Sequence, residues 1–288
     1  MNTNSISRLG FRGATLAQFI ANCAKDVKAR YVLTGASALI IRGVIRRETN
    51  DVDVNIAPRA SLDLQDAIRP HLDVNKNEGV LVDGKTPEAK AAQSNFRIFK
   101  SFEGLPQTHN MKADISENEC VMLDSAFTEI DGIMVATVPL MVVFKICAIS
   151  RQNRAAHSAK VIKDAQDLVA AVKHMKDNGE LVPAEVQALF SREVPPFSWT
   201  PFWEVLAANA PDIAEMLKDD LPLVGIMAPE DELKMRANTS DKTGTCTHSA
   251  QMRLLRKPEP TQGEFAMPSL WGVQLGSTVR VVIRSLEA

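Results

Sequence analysis

The amino-acid sequence predicts an α+β fold with an α/β core, in which a small mixed β-sheet is flanked by helices and followed by a C-terminal helical part. Through residues 1–138, short apolar or alternating segments typical of strands lie between segments with helical spacing. After Pro139 the apolar residues recur at helical spacing. We therefore expect three regions: a core at 1–138, a helical part at 139–224 that completes a cleft with the core, and a loop-rich tail at 225–288.

The first elements of the core are a helix, a strand, a turn and a second strand. Apolar side chains within residues 14–30 fall on one helical stripe. The segment RYVLT (30–34) is typical of a short buried strand. A turn at Gly35 follows, and SALIIRGVI (37–45) is predicted to be a helix. The run DVDVNIA (51–57) is the second predicted strand.

The remainder of the core combines one helix, a polar stretch and three strands. SLDLQDAIRPHL (61–72) has helical spacing and is interrupted by Pro70, while residues 75–94 are polar and predicted to be loop. Alternating or short apolar runs predict three further strands: NFRIFKSF (95–102), NMKADISE (110–117) and GIMVATV (132–138).

The C-terminal half is predicted to be helical up to the tail. Pro139 suits the first turn of a helix, where its missing N–H has no partner to lose. The segments with helical spacing are 140–150, 158–176, 183–192 and, less clearly patterned, 203–218. In the tail, polar loop-like sequence precedes one strand-like segment, STVRVVIRSL (277–286).

Composition is that of an ordinary globular chain and disfavours large polyanions and membranes as partners. The 288 residues are 45% hydrophobic and carry a net charge of −2, so no strong attraction to DNA or to an anionic membrane is expected. The four cysteines show no metal-site spacing, which favours a reduced, cytoplasmic setting. The longest apolar run, around residues 140–149, is interrupted by Lys145 and falls short of a membrane span of about 20 residues.

Three aspartates form the main chemical signal. Residues two apart on a strand share a face, so Asp51 and Asp53 point together. By the same alternation, Asp114 lies on the polar face of the NMKADISE strand. Adjacent carboxylates repel unless a cation separates them, and Mg²⁺ prefers oxygen ligands. If the two strands pair, the three aspartates suit two metal ions about 3.5–4 Å apart, as in phosphoryl transfer.

A small-residue turn lies upstream of this pair. An isolated D-x-D is more often a solvated strand end or a turn. Here Gly35, Ala36 and Ser37 come between a strand and a helix, where backbone N–H groups and a hydroxyl form an anion site. The alternative is a tight turn in which Ser37 caps the helix.

These motifs together resemble the polymerase-beta-type nucleotidyltransferase superfamily. Its pattern is a hydrophobic-Gly-[Gly/Ala]-Ser turn, then D-x-D, then a single later aspartate, matched here by LTGASALIIRG, NDVDVNI and KADI. The segments ATVPLMVVFKICAISRQNR and KVIKDAQDLVAAV resemble the second half of the AbiEii-like group, the toxins of abortive-infection systems. The resemblance covers about half of the chain, from residue 29 to residue 175.

The resemblance implies roles for particular residues. Gly35, Ala36 and Ser37 hold the phosphates of a nucleoside triphosphate, although the family more often has a second glycine at the position of Ala36. Asp51 and Asp53 bind two Mg²⁺ ions, with Mn²⁺ as the alternative metal. Asp114 completes the metal site and accepts the proton of the attacking hydroxyl.

Charged residues of the helical part are candidates of a second rank. Lys145 lies in an otherwise apolar helix, where it either extends its ammonium to water or contacts the triphosphate or the acidic cluster. Arg151 is a phosphate ligand or a helix-end charge. The resemblance places Lys163, Asp164 and Asp167 at the active site, whereas the residues alone also fit a solvated helix face.

The expected function is Mg²⁺-dependent transfer of a nucleoside monophosphate from the triphosphate to a hydroxyl, with release of pyrophosphate. The acceptor is a tRNA, a protein or a small molecule. The alternatives are an inactive nucleotide-binding or regulatory protein on the same fold, and a phosphohydrolase that uses the same aspartates. The aromatic segment PPFSWTPFW (195–203) either caps the helical part or stacks on a base.

Overall fold

One mixed β-sheet organises the part of the chain that the computed structural model describes, which is residues 5–82, 94–101, 111–151, 158–192 and 197–227. Its strands are β1 (Tyr31–Thr34), β2 (Asp51–Ile56), β3 (Gly79–Val82), β4 (Asn95–Lys100), β5 (Met111–Glu117), β6 (Phe127–Ile130) and β7 (Ile133–Ala136). The strand order is β3-β4-β5-β2-β1-β7-β6. β2 runs parallel to β5 and β1 parallel to β7, while the other pairs are antiparallel.

Helices pack on this sheet and continue beyond it. They are α1 (Gly10–Asp26), α2 (Gly35–Ile41), α3 (Ser61–Ile68), α4 (Val138–Ser150), α5 (Ser158–Asn178), α6 (Ala184–Gln187), α7 (Trp199–Asn209) and α8 (Pro211–Leu223). Short 3₁₀ segments occupy Ser5–Leu9, Arg69–His71, Val74–Lys76, Glu119–Met122, Asp124–Ala126 and Ala188–Arg192. The fold is α+β, as predicted.

The two faces of the central strands differ in polarity, and this difference positions the site. Val52, Val54 and Ile56 of β2 are buried in the core, and α1 packs across β1, β2, β5 and β7. The opposite face of β2 carries Asp51 and Asp53. α4 is buried on almost every side, and it packs against α2, α5 and α7. Among the described helices, none combines the length and the apolarity that crossing a membrane requires.

Two strands differ from the sequence prediction. β3 lies inside the segment 75–94, which is predicted to be loop. It pairs with β4, and its Val80 packs against the core. β6 was not predicted, although its turn carries a signal. Asp131 and Gly132 have φ of 52° and 79°, the left-handed pair of a two-residue hairpin that joins β6 to β7.

The other predicted elements lie close to their expected positions. The weakly patterned helical segment at 203–218 corresponds to two helices, α7 and α8, which meet at Ala210 and Pro211. All described residues belong to a compact unit spanning residues 1–239. The predicted terminal strand at 277–286, and with it most of the predicted tail, lies outside the described residues. The division of the chain at residues 138 and 224 stays a prediction.

Candidate active site

Strand register brings the three predicted aspartates together. β2 and β5 pair in parallel with Asp53 directly opposite Asp114 and Asp51 opposite Lys112. A carboxylate oxygen from each of Asp51, Asp53 and Asp114 lies within 4.8 Å of the other two. We call these three residues the acidic cluster. The polar face predicted by alternation in each strand therefore becomes one concentrated patch of negative charge.

Asp53 is the least compensated member of the acidic cluster. Among the described residues, neither a hydrogen bond nor an ion pair reaches its carboxylate. Burial raises the pKa of Asp53 to about 6, and the charges of Asp51 and Asp114 add to this effect, while Lys145 and Lys112 oppose it. An uncompensated carboxylate in this position favours binding of a cation.

The other two members of the acidic cluster have cationic partners. Lys112 Nζ lies 2.9 Å from Asp114 Oδ2 and 3.3 Å from Asp51 Oδ2. Arg97 of β4 donates to Asp114 Oδ1, and Thr49 donates to Asp51 Oδ1 at 2.8 Å. Burial acts to raise the pKa of Asp114, but the hydrogen bonds from Arg97 and Lys112 outweigh it and keep that pKa below its usual range. Both oxygens of Asp114 are thus engaged.

Gly35 is required where the chain passes the acidic cluster. Its φ is +64°, in the left-handed region, and a Cβ placed on it would overlap Asp53 Oδ2 and lie 2.7 Å from Asp53 Cγ. Ala36 is part of the buried core and also lines the cavity over the acidic cluster. The Ser37 hydroxyl donates to the Asp51 carbonyl at 3.1 Å and does not line that cavity. Ser37 therefore links α2 to β2, and its hydroxyl hydrogen is engaged in this bond.

The cavity over the acidic cluster has a volume of about 610 Å³. The sheet and the β1–α2 turn supply Gly35, Ala36 and the acidic cluster on one side. The other side is formed by α4 and the start of α5. The cations that line the cavity are Arg47, Lys145, Arg151, Lys160 and Lys163. A smaller cavity of about 340 Å³ adjoins it and shares Asn118 and Phe144, so there is room beside the first site for a second group.

Lys145 belongs to a buried ion-pair network. Its ammonium contacts Asp164 Oδ1 at 2.6 Å and Asp167 Oδ2 at 2.7 Å, and only 7% of Lys145 is exposed. Arg47 binds both oxygens of Asp167, at 3.1 and 2.7 Å. Burial acts to raise the pKa of Asp167, but Arg47 and Lys145 outweigh it and lower that pKa. One of the two predicted alternatives was that Lys145 extends its ammonium to water. The structure does not have this arrangement.

Most of the predicted site residues meet in the cavity. Those that line it are Gly35, Ala36, Asp51, Asp53, Asp114, Lys145, Arg151, Lys163 and Asp164. Asp167 does not line it, but it supports Lys145 and Arg47 from behind. Lys163 is exposed on α5, as is Arg151 at the end of α4.

Sequence reasoning missed several polar residues at the site, among them Arg47, Thr49, Arg97, Lys112 and Lys160. Lys112 had a usable signal, because it shares the polar face of β5 with Asp114. Arg97 required knowledge of the β4–β5 register, which sets Arg97 opposite Asp114. Arg47 reaches Asp167 across 120 residues of sequence, and spacing alone does not show such a contact.

The aromatic segment and the cysteines are structural in the described residues. Phe202 is fully buried, and Trp199 packs against Phe197, Phe202 and Trp203. These rings cap the helical part, and they do not line the cavity. Cys23, Cys120 and Cys147 are buried free thiols. Burial raises the pKa of both Cys23 and Cys120, which disfavours their reactive thiolate form.

The residues present fit a hard divalent cation. Three carboxylates offer the oxygen ligands that Mg²⁺ prefers. The Asp53 carboxylate has no hydrogen-bond partner among the described residues, and the missing Cβ at Gly35 leaves room for it. The acidic cluster is therefore a suitable divalent-metal site.

Comparisons with known proteins find only distant structural likeness. No family model matches the sequence, and no curated protein sequence matches it either. Among solved structures, JHP933 from Helicobacter pylori is 15% identical, with a TM-score of 0.40 over 80% of this chain and 96% of that one. An antigenic nucleotidyltransferase-like protein from Paracoccidioides brasiliensis is 14% identical, with a TM-score of 0.42 over 71% and 91%.

A third solved structure is that of the antibiotic-resistance factor ANT(2'')-Ia. It is 11% identical, with a TM-score of 0.38 over 71% of this chain and 95% of its own. Similarity at this level does not assign an activity to the chain.

Replacing Gly35 with alanine should abolish divalent-metal binding. The added Cβ must displace the Asp53 carboxylate, and the positive φ destabilises the fold by a further ~1 kcal/mol. Mn²⁺ titration measures the first effect and thermal unfolding the second. Gly179→Ala is the matched control, because Gly179 has a φ of +65° but no atom within 4 Å of the position that a Cβ would take. Wild-type Mn²⁺ affinity in Gly35→Ala would refute the assigned clash.

Replacing Asp53 with asparagine should stabilise the metal-free protein at neutral pH. Because the folded-state pKa of about 6 exceeds the ordinary 3.8, ionised Asp53 opposes folding, by up to about 3 kcal/mol. The increase in the free energy of unfolding of Asp53→Asn over wild type should be complete above pH 6 and should vanish as the pH falls below 3.8. Urea unfolding across this range measures it. Asp114→Asn, which removes a paired carboxylate, should instead destabilise the protein; destabilisation by both variants would contradict this assignment.

Replacing Lys145 with methionine should cost about 3–5 kcal/mol of stability, since it leaves the buried Asp167 and the partly buried Asp164 with less compensation. Chemical denaturation provides the measurement. Lys176→Met is the control, because Lys176 pairs with Asp220 between helices at a more exposed position and should cost about 1 kcal/mol or less. Equal losses of stability in the two variants would show that burial of the Lys145 ion pairs does not increase their contribution to stability.

Proposed function

We propose that this chain is a Mg²⁺-dependent nucleotidyltransferase. It moves a nucleoside monophosphate from a nucleoside triphosphate to a hydroxyl acceptor. One observation carries the proposal: the acidic cluster forms one side of a 610 Å³ cavity whose other lining includes five cations. A metal–triphosphate complex has the matching charges, because its metal needs carboxylates and its phosphate oxygens need cations.

The reaction forms one bond and breaks one. The acceptor oxygen bonds to the α-phosphorus, the bond from that phosphorus to the bridging oxygen breaks, and pyrophosphate leaves. The hydroxyl proton passes to a carboxylate of the acidic cluster. Asp53 suits this step better than Asp114, because burial raises the pKa of Asp53 to about 6 while both oxygens of Asp114 are engaged by Arg97 and Lys112. Asp51, Asp53 and Asp114 hold the metal ions, which supply Lewis-acid stabilisation of the phosphate charges when bound.

Other residues of the chain position the triphosphate. The backbone at Gly35 and Ala36 reaches the cavity, and the exposed cations Arg151, Lys160 and Lys163 lie outside the sheet and suit phosphate oxygens. Lys145 uses two of its three N–H groups on Asp164 and Asp167, which leaves one for substrate. Positioning and charge neutralisation account for most of the rate enhancement in reactions of this class.

The alternative function, a nucleotide-binding protein without chemistry, does not require the three carboxylates to meet. Their approach within 4.8 Å supports the enzyme. The adjoining cavity supports a reaction with two substrates. The sequence resemblance to AbiEii-like toxins extends the proposal to a toxin–antitoxin setting, in which the acceptor is a tRNA, a protein or a small molecule.

The test is transfer of label from α-³²P-labelled nucleoside triphosphates in the presence of Mg²⁺. Each triphosphate is offered with total tRNA, with a protein extract, with a small-molecule extract, and with the chain alone. We expect label on one acceptor class and one pyrophosphate released per label. Asp51→Asn/Asp53→Asn should reduce the rate at least about a hundredfold, while Lys173→Met, on the exposed side of α5, should match wild type.

Two outcomes would contradict the proposal. Triphosphate that binds but yields neither label nor pyrophosphate with any acceptor class supports the binding protein. Nucleoside monophosphate released to water without labelled acceptor supports the phosphohydrolase.

A further inference from the structure

We propose that Lys112 is the resident counter-cation of the acidic cluster, and that a divalent metal must displace it in order to bind. The inference rests on the metal site of the proposed function and gives a role to Lys112, to which the resemblance assigns none. It concerns the metal-free state of the protein and the step in which the metal enters.

The position of Lys112 carries this inference. Its ammonium bridges two of the three carboxylates, at 2.9 Å from Asp114 Oδ2 and 3.3 Å from Asp51 Oδ2. The bridge follows from strand register, because Lys112 pairs with Asp51 across β2 and β5 and lies two residues before Asp114 on the same face. An ammonium at these oxygens occupies the place where a metal shared by Asp51 and Asp114 has to bind.

The other cations near the acidic cluster do not bridge two of its carboxylates. Arg97 binds the opposite oxygen of Asp114 from the neighbouring strand, and so leaves the Oδ2 side to Lys112. Lys145 is held by Asp164 and Asp167. Among the described residues, Lys112 is therefore the cation that forms ion pairs with two of the three carboxylates.

Lys112 is also able to leave. Its side chain is 35% exposed, and its ammonium lies at the end of a flexible four-carbon stem. A dication and an ammonium cannot share the same carboxylate oxygens without strong repulsion. Metal entry therefore exchanges one cation for another, frees Asp114 Oδ2 from its lysine, and releases an ammonium beside the cavity.

The exchange has a consequence for the metal-free protein. Lys112 partly neutralises the repulsion between Asp51 and Asp114, so the cluster remains assembled before metal arrives. The same contact lowers metal affinity, because binding must first break it. A surface lysine without a role at the site would leave metal affinity unchanged. A lysine that held the carboxylates in place for the metal would increase it.

The first experiment measures Mn²⁺ binding to the full chain without nucleotide, by the loss of the free-Mn²⁺ electron paramagnetic resonance signal. Lys112→Met should bind Mn²⁺ at least tenfold more tightly than wild type. Lys112→Arg, which keeps the charge, should stay near wild type. The control Lys173→Met lies on the exposed side of α5 outside the cavity and should leave affinity unchanged.

A second measurement uses the wild-type protein and does not depend on the folding of a variant. Amine-reactive labelling followed by mass spectrometry reports how available each lysine is. Addition of Mg²⁺ should raise the labelling rate of Lys112 severalfold and leave that of Lys173 unchanged.

The outcomes separate this inference from the proposed function. Unchanged or weaker Mn²⁺ binding in Lys112→Met, or Lys112 labelling that does not respond to Mg²⁺, overturns the inference while wild-type metal binding leaves the proposed function standing. Absence of Mn²⁺ binding in wild type and in Lys112→Met overturns both. Binding in Lys112→Met alone supports the displacement.

Discussion

Repulsion among three carboxylates is the constraint on which the rest of this site depends. The parallel pairing of β2 with β5 sets Asp53 against Asp114 and leaves Asp51 beside them. No arrangement of these two strands in this register separates the charges, so the surrounding structure compensates them. Lys112 and Arg97 neutralise two of the carboxylates, and Asp53 remains with its pKa raised by burial and by its neighbours.

The compensation is arranged in two layers that differ in burial. Close to the sheet, Lys112 is partly exposed and bridges the acidic cluster directly. Across the cavity, Lys145 and Arg47 are locked by Asp167, which is almost completely buried. The buried layer costs stability to break and keeps cations facing the cavity. In the proposed metal entry, the partly exposed Lys112 is the cation that leaves.

Much of the fold and of the site follows from local rules in the sequence. Period-two alternation predicted which faces of β2 and β5 carry Asp51, Asp53 and Asp114, and the need for positive φ explains Gly35. What the sequence did not predict depends on register between distant segments, as with Arg97 on Asp114 and Arg47 on Asp167. The hairpin of β6 and β7 differs from these contacts, because its Asp131-Gly132 turn is a local signal in the sequence.

Anomalous scattering from Mn²⁺ tests the central claim most directly. Crystals grown with Mn²⁺ and a non-hydrolysable nucleoside triphosphate would locate the metal relative to the three carboxylates. We expect manganese bound by Asp51, Asp53 and Asp114, triphosphate oxygens on the same ion, and Lys112 no longer in contact with Asp51. Manganese bound elsewhere, or Lys112 still bridging Asp51 and Asp114 beside an empty cluster, would contradict it.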